Sequence, residues 1–148
     1  MSLESDARLL AATRPFNFLP REAVQLLAFS CEKFRLDAGG VLFTAGDTAD
    51  GAFFVLDGEI LLSDRGDQRR ATVGALIGEN ALAVEVARGS DARVVANTTL
   101  LRIPRETFRR VLREFPGGAA KVRSDAAARA GALVGKLDAL RARVFEVP

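Results

Sequence analysis

The segment Ile77-Gly78-Glu79-Asn80-Ala81-Leu82, followed after five residues by Arg88-Gly89-Ser90, groups the side chains best suited to holding a small anion beside a sugar. Gly78 lets the backbone approach a ligand with no Cβ in the way, and Ala81 stands where a short helix can begin and aim its N–H groups at an anion. Arg88 offers a planar, permanently charged fork for two phosphate oxygens, and Glu79 can accept a hydrogen bond from a sugar hydroxyl. Taken singly, each has a plainer reading: a turn glycine, a first-turn acid at a helix N-terminus, a solvated arginine. Their spacing is what argues for reading them together.

That spacing resembles the phosphate-binding cassette of cyclic nucleotide-binding domains, whose usual form is Phe-Gly-Glu-Leu-Ala-Leu, a short spacer, then Arg-x-Ala-Thr-Val. Ten positions separate Gly78 from Arg88 without a gap, as in the regulatory subunits of the cAMP-dependent kinase, and Ile103 falls at the closing aliphatic of the last strand. Val41-Leu42-Phe43-Thr44-Ala45-Gly46-Asp47 and Ala52 to Ile60 look like the early strands and glycine turns of the same family, so the resemblance covers roughly residues 16 to 144. It implies that Glu79 binds the ribose hydroxyl, that Arg88 binds the exocyclic phosphate oxygens and that the backbone from Gly78 to Ala81 completes the cradle. The candidate ligand-binding set is Ile77, Gly78, Glu79, Asn80, Ala81, Arg88, Gly89 and Ser90.

The sequence departs from the pattern at Asn80, where an aliphatic is usual, at Ala87, where Pro is frequent, and at Ser90-Asp91-Ala92 in place of Ala-Thr-Val. Strand alternation lets the Asp91 carboxylate point away from Ser90 and Ala92. Domains resembling the cGMP-dependent kinase place Thr beside the phosphate-gripping Arg, where Gly89 stands here, so the resemblance implies cAMP ahead of cGMP as ligand. The alternative is a degenerate, ligand-free domain that serves as an interaction or dimerisation module.

These residues need a scaffold, and the pattern supplies one in three parts. Leu3 to Ala12 reads as a short amphipathic helix ended by Arg14-Pro15, and Pro20 starts a second over Arg21 to Lys33 with Val24, Leu27 and Ala28 at helical spacing. From residue 34 to 103, short runs of Val, Ile, Leu, Phe and Thr are punctuated by Gly39-Gly40, Gly46-Asp47, Asp57-Gly58, Arg65-Gly66-Asp67 and Gly74, the rhythm of a small antiparallel barrel. Residues 104 to 148 return to helix: Phe108, Val111, Leu112 and Phe115 form one apolar stripe, and Pro116-Gly117-Gly118 reads as a break and hinge. Beyond it Ala126, Ala130, Leu133, Leu137, Leu140 and Val144 recur at spacings of three and four, a seam that fits either self-packing or a homodimer. Leu133, Leu137 and Leu140 are also candidates to cap a purine. The expected class is α+β: one domain over 1–148, a β-roll or jelly-roll barrel at 34–103 carrying the cassette at 77–90, with N-terminal helices at 1–33 and two C-terminal helices.

Composition narrows the remaining options. At 148 residues, 49% of them apolar, the chain can bury about two thirds of its unfolded surface and needs no disulfide. Its single Cys31, near Leu27, Phe29 and Phe34, reads as a buried apolar thiol in a reducing cytoplasm. A net charge of +2 with scattered Arg gives no nucleic-acid surface, and nothing after Val144 can place a recognition helix, so no direct DNA binding is expected. No apolar run approaches the roughly 20 residues of a membrane helix, and Met1 to Ala7 does not look like a secretory signal. With no His, a cupin-like metal centre lacks its ligands, and no nucleophile elbow, Cys-His pair or P-loop is present; neither metal nor catalysis is expected. The partners to seek are a cyclic nucleotide and a protein, or a second copy, met through the C-terminal helix.

Overall fold

The computed structural model describes residues 2–145; the side chains of Leu133, Leu137, Leu140 and Val144, assigned above to an apolar seam, lie outside the described set. The fold is α+β, an antiparallel roll flanked by helices at both ends. Two helices, α1 (Leu3–Ala11) and α2 (Arg21–Ser30), precede eight strands: β1 (Glu32–Leu36), β2 (Val41–Phe43), β3 (Thr48–Ala49), β4 (Gly51–Asp64), β5 (Asp67–Ala71), β6 (Leu76–Ile77), β7 (Val86–Ala87) and β8 (Asp91–Pro104). Two more helices, α3 (Arg105–Glu114) and α4 (Pro116–Phe145), follow.

The roll is built on β4 and β8, which pair antiparallel from Gly51↔Pro104 to Ser63↔Asp91. The register shifts three times between Val55 and Ile60. Such irregularities bend a strand and raise its twist, which lets one 14-residue ribbon curl on itself. β1 and β2 extend the sheet from β8, β5 and β6 extend it from β4, and β3 with β7 forms a separate two-stranded ribbon. Side-chain alternation then divides the apolar residues between two clusters. Val55, Ile60, Leu62, Val94 and Leu100 fill the inside of the roll with Phe43 and Ile77. Phe54, Leu56, Leu101 and Ile103, on the other face, meet Leu10, Phe16, Val24, Leu27, Phe108 and Val111 of the helical segments.

α2 stops at Ser30, three residues before the expected end, because residues 32 to 36 pair with Arg102 to Thr98 of β8. Strand pairing outweighs helical propensity there, and it carries Lys33 to 2.6 Å from the buried Asp6 carboxylate of α1. The stripe on α3 is oriented as its spacing requires: Phe108 and Val111 are buried, and Phe108 meets Phe16 edge to face at 5.7 Å.

The expected loop at Pro116-Gly117-Gly118 is corrected. Only Phe115, with φ −130° and ψ 69°, separates α3 from α4, and Pro116, Gly117 and Gly118 form the first turn of α4. Proline is tolerated there because the first-turn N–H has no partner to lose. Gly118 serves close packing: a Cβ on it would stand 2.9 Å from Leu19 Cδ2 and 3.2 Å from Pro20 Cδ.

Cys31 follows α2, and burial pushes its thiol up to about 12. At neutral pH the thiolate that would react is thus scarcer than in the unfolded chain. Iodoacetamide at pH 8 is expected to label Cys31 at least tenfold more slowly in the native protein than in urea, read by intact-mass spectrometry; equal rates would contradict a desolvated thiol.

Candidate functional site

Arg88 is where the sequence motif becomes a physical site. Its backbone is fixed on both sides: the Arg88 N–H donates to the Asp47 carbonyl at 2.7 Å, and the Gly46 N–H donates to the Arg88 carbonyl at 2.8 Å. These bonds hang the side chain from the turn that links β2 to β3. The guanidinium reaches inward, only 8% exposed, and Nη2 donates to the Gly51 carbonyl at 2.9 Å. It lies over two aromatic rings, 4.5 Å from the Phe43 centroid and 5.3 Å from that of Phe53. Nη1 is buried and has no hydrogen-bond partner. Burial lowers the Arg88 pKa, and Asp50 and Asp47 act in the opposite direction by their charge. A buried donor left unpaired costs free energy that an incoming acceptor would recover.

A cavity of about 470 Å³ opens beside this guanidinium. Ile77, Gly78, Asn80, Ala81, Arg88, Gly89 and Ser90, seven of the eight candidate residues, line it together with Phe43 and Leu62. Gly78 is left-handed, with φ 77° and ψ 38°, and a Cβ on it would collide with Arg88 Nη1. Glycine is therefore needed twice over, for the backbone conformation and for the room that the guanidinium occupies. Beyond Gly78 the chain makes a short 3-10 turn, Glu79–Leu82, in which the Ala81 N–H donates to the Gly78 carbonyl at 3.1 Å. Ala81 thus lies inside the turn and does not start it, and its amide already has a partner.

Glu79 is placed elsewhere. It does not line the Arg88 cavity but faces a second groove of about 590 Å³ formed by the 3-10 turn, α3 and α4, where Leu82, Phe108, Leu112 and Val122 contribute the apolar wall. Its carboxylate accepts a 2.5 Å hydrogen bond from Arg129 Nη2 of α4. That hydrogen bond, the largest influence on Arg129, raises its pKa. Arg129 Nε also sits 3.2 Å from Asp125, which pairs in turn with Arg14 at 3.1 Å. A row of four charges thereby joins the N-terminal segment, α4 and the motif.

Asp91, the acid adjoining the motif, is turned away from the cavity and accepts from the Ala45 N–H at 2.8 Å. Several lining residues were not singled out by sequence reasoning: Phe43, Val86, Ala87, and the β4–β5 hairpin residues Leu62, Asp64, Asp67, Gln68 and Arg69. A signal for part of the hairpin existed, since Leu62, Asp64, Asp67 and Arg69 share one face by alternation once their pairing is known. That pairing is not written in any local motif. Among the described residues no cluster of metal-ligating side chains occurs, and no helix is long and apolar enough to cross a membrane.

Comparison with known proteins adds four findings. Residues 33–115 match the model of the cyclic nucleotide-binding domain. A cyclic nucleotide-binding-like protein from Brucella abortus is 36% identical with a TM-score of 0.69, over 74% of this chain and 98% of that one. The lysophospholipase NTE1 of Chaetomium globosum is 30% identical over 132 residues, which are 85% of this chain but only 9% of the enzyme. The regulatory domain of Toxoplasma gondii PKA, crystallised with cAMP, shares the fold at a TM-score of 0.68 and 24% identity, over 74% of this chain and 44% of that one.

Proposed function

The chain belongs to the cyclic nucleotide-binding domain family, and on that premise we propose that it is a non-catalytic sensor that binds a cyclic purine mononucleotide at the Arg88 cavity and signals through α4. The observation that carries this reading is the buried, unpartnered Nη1 of Arg88, facing Gly78 at the wall of a cavity of about 470 Å³. An exocyclic phosphate would supply the acceptor that this N–H lacks, and the small residues Gly78, Ala81 and Gly89 leave it space. Ring and sugar would then lie along Phe43, Leu62 and the β4–β5 hairpin. Gly89 offers no hydroxyl to a guanine amino group, which favours cAMP over cGMP.

A lysophospholipase activity is not assigned to these residues. The chain spans about a tenth of those relatives and has no His for a Ser-His pair. If it forms part of a longer protein, its role there would be to report ligand occupancy to a neighbouring segment or a second copy through α4. One observation favours the second reading, a ligand-free interaction module: the carboxylate expected to hold the ribose is engaged by Arg129.

Titration calorimetry separates the two. Protein unfolded and refolded to remove carried-over nucleotide is expected to bind cAMP with a micromolar or lower Kd and cGMP more weakly. No heat with either nucleotide, together with a melting temperature that neither one raises, would favour the interaction module.

A further inference from the structure

The groove between the 3-10 turn, α3 and α4 takes no part in the binding proposed at Arg88, and its walls divide by chemistry. Leu82, Phe108, Leu112, Val122, Ala126 and Ala130 give it an apolar lining, and its volume of about 590 Å³ falls in the range of small-molecule sites. Past Arg109, Leu112 and Arg123 it continues into a smaller hollow of about 370 Å³ bounded by Arg113, Pro116 and Ala119, where the two helices join. We propose that this groove is a second binding site, for a single-chain anionic amphiphile of the fatty-acid class. Its carboxylate would lie among Arg109, Arg113 and Arg123, and its hydrocarbon chain along the apolar walls.

Charge selects the head group. The charged side chains lining the two hollows are Arg109, Arg113, Arg123, Arg129 and a single acid, Glu79, which is already bonded to Arg129. Among the described residues Arg113 and Arg123 have no acid within 4.0 Å, and Arg109 has only Glu106, at 3.6 Å. A carboxylate set among these three guanidiniums offsets their mutual repulsion and accepts charge-assisted hydrogen bonds. Side-chain size selects the tail. Val122, Ala126 and Ala130 recur every four residues along one side of α4, and the two alanines are exposed where larger side chains would close the groove. Covering that surface with a hydrocarbon is favourable in proportion to the apolar area removed from water. The ends of the groove decide for one chain over a partner helix. A helix with its side chains is about 10–12 Å across and lies in a groove open along its length. This groove stops at Pro15 and the Glu79–Leu82 turn in one direction and at the α3–α4 junction in the other, where Phe115 alone separates the helices.

The chain has no Trp and no Tyr, so a dansyl-labelled undecanoic acid, used below the concentration at which it forms micelles, reports binding against little protein background. One probe per chain is expected to bind with a micromolar Kd and a blue-shifted emission. Dodecanoate should displace it roughly tenfold better than dodecanol, which lacks the charge. Arg123→Gln is expected to weaken probe binding about three- to tenfold. Ala126→Trp, at an exposed helical position, is expected to abolish it by filling the groove, with little change in melting temperature. Emission that does not saturate, equal displacement by dodecanol, or native-like binding in either variant would overturn the site. Displacement by an acidic amphipathic peptide and not by dodecanoate would make the groove a protein-docking surface and overturn it as well. Binding seen only with phosphatidylglycerol vesicles would do the same, by making it a membrane surface.

Discussion

Arg88→Ala is expected to weaken cyclic-nucleotide binding by roughly two to four orders of magnitude. Two charge-assisted hydrogen bonds to phosphate oxygens, at about 1.5–3 kcal/mol each, account for a loss of that size. The effect on folding should be small, which makes the site readable. In the folded chain the guanidinium is buried with no protein partner for Nη1, so its removal relieves a desolvation cost at the same time as it deletes the Gly51 bond and the contacts with Phe43 and Phe53. Arg88→Met keeps most of the packing against those rings and removes the orphaned donor. Its melting temperature without ligand is expected to equal or exceed that of the native chain, while its affinity falls as far as that of Arg88→Ala. Arg88→Lys should fall between, since an ammonium keeps the charge but cannot grip two oxygens in one plane or hold the Gly51 carbonyl as well. Calorimetry and thermal melts on the same three variants decide the matter. A variant that binds as the native chain does would remove Arg88 from the site; one that fails to bind because it no longer melts cooperatively would make Arg88 a structural residue.

Sequence reasoning reached the roll and the motif for a physical reason. Strands announce themselves by local alternation, the turns by glycine, and Gly78 and Arg88 lie within one short segment whose spacing is itself the signal. What it missed depends on long-range pairing. That Lys33 joins a strand follows from the partner β8, nearly 70 residues away, and not from anything near it. The β4–β5 hairpin joins the cavity wall because the Leu62↔Arg69 register turns both toward it. The pair of glycines after Pro116 is ambiguous in sequence, since Gly in a first helical turn and Gly in a loop look alike; Gly118 is decided by its contact with Leu19, which belongs to another element. Glu79 is the instructive case. Motif spacing assigns it a role relative to Arg88, but its rotamer is set by Arg129, fifty residues further on.

Gly78→Ala is expected to reduce affinity at least tenfold while costing folding only about 1–2 kcal/mol, the price of a left-handed conformation in a residue with a Cβ. The conformation is φ 77°, and the added methyl would collide with Arg88 Nη1; the next nearest atoms, Arg88 Cζ and the Gly51 carbonyl oxygen, are at 3.6 and 3.8 Å. The obstacle is thus the far end of a long side chain and not backbone, so the protein can fold by moving the guanidinium aside. That movement takes away the donor that defines the site. Strain and displacement can be separated with Gly74, which has φ 89° and open space around its Cβ position, and which does not line the cavity. Gly74→Ala should lower the melting temperature by about as much as Gly78→Ala, a few degrees for a chain of this size, and leave binding unchanged. If both variants lose stability and affinity together, the loss at Gly78 is backbone strain transmitted to the cassette. If Gly74→Ala binds normally and Gly78→Ala does not, the position of Nη1 is what the ligand reads, and the glycine is there to let the arginine reach it.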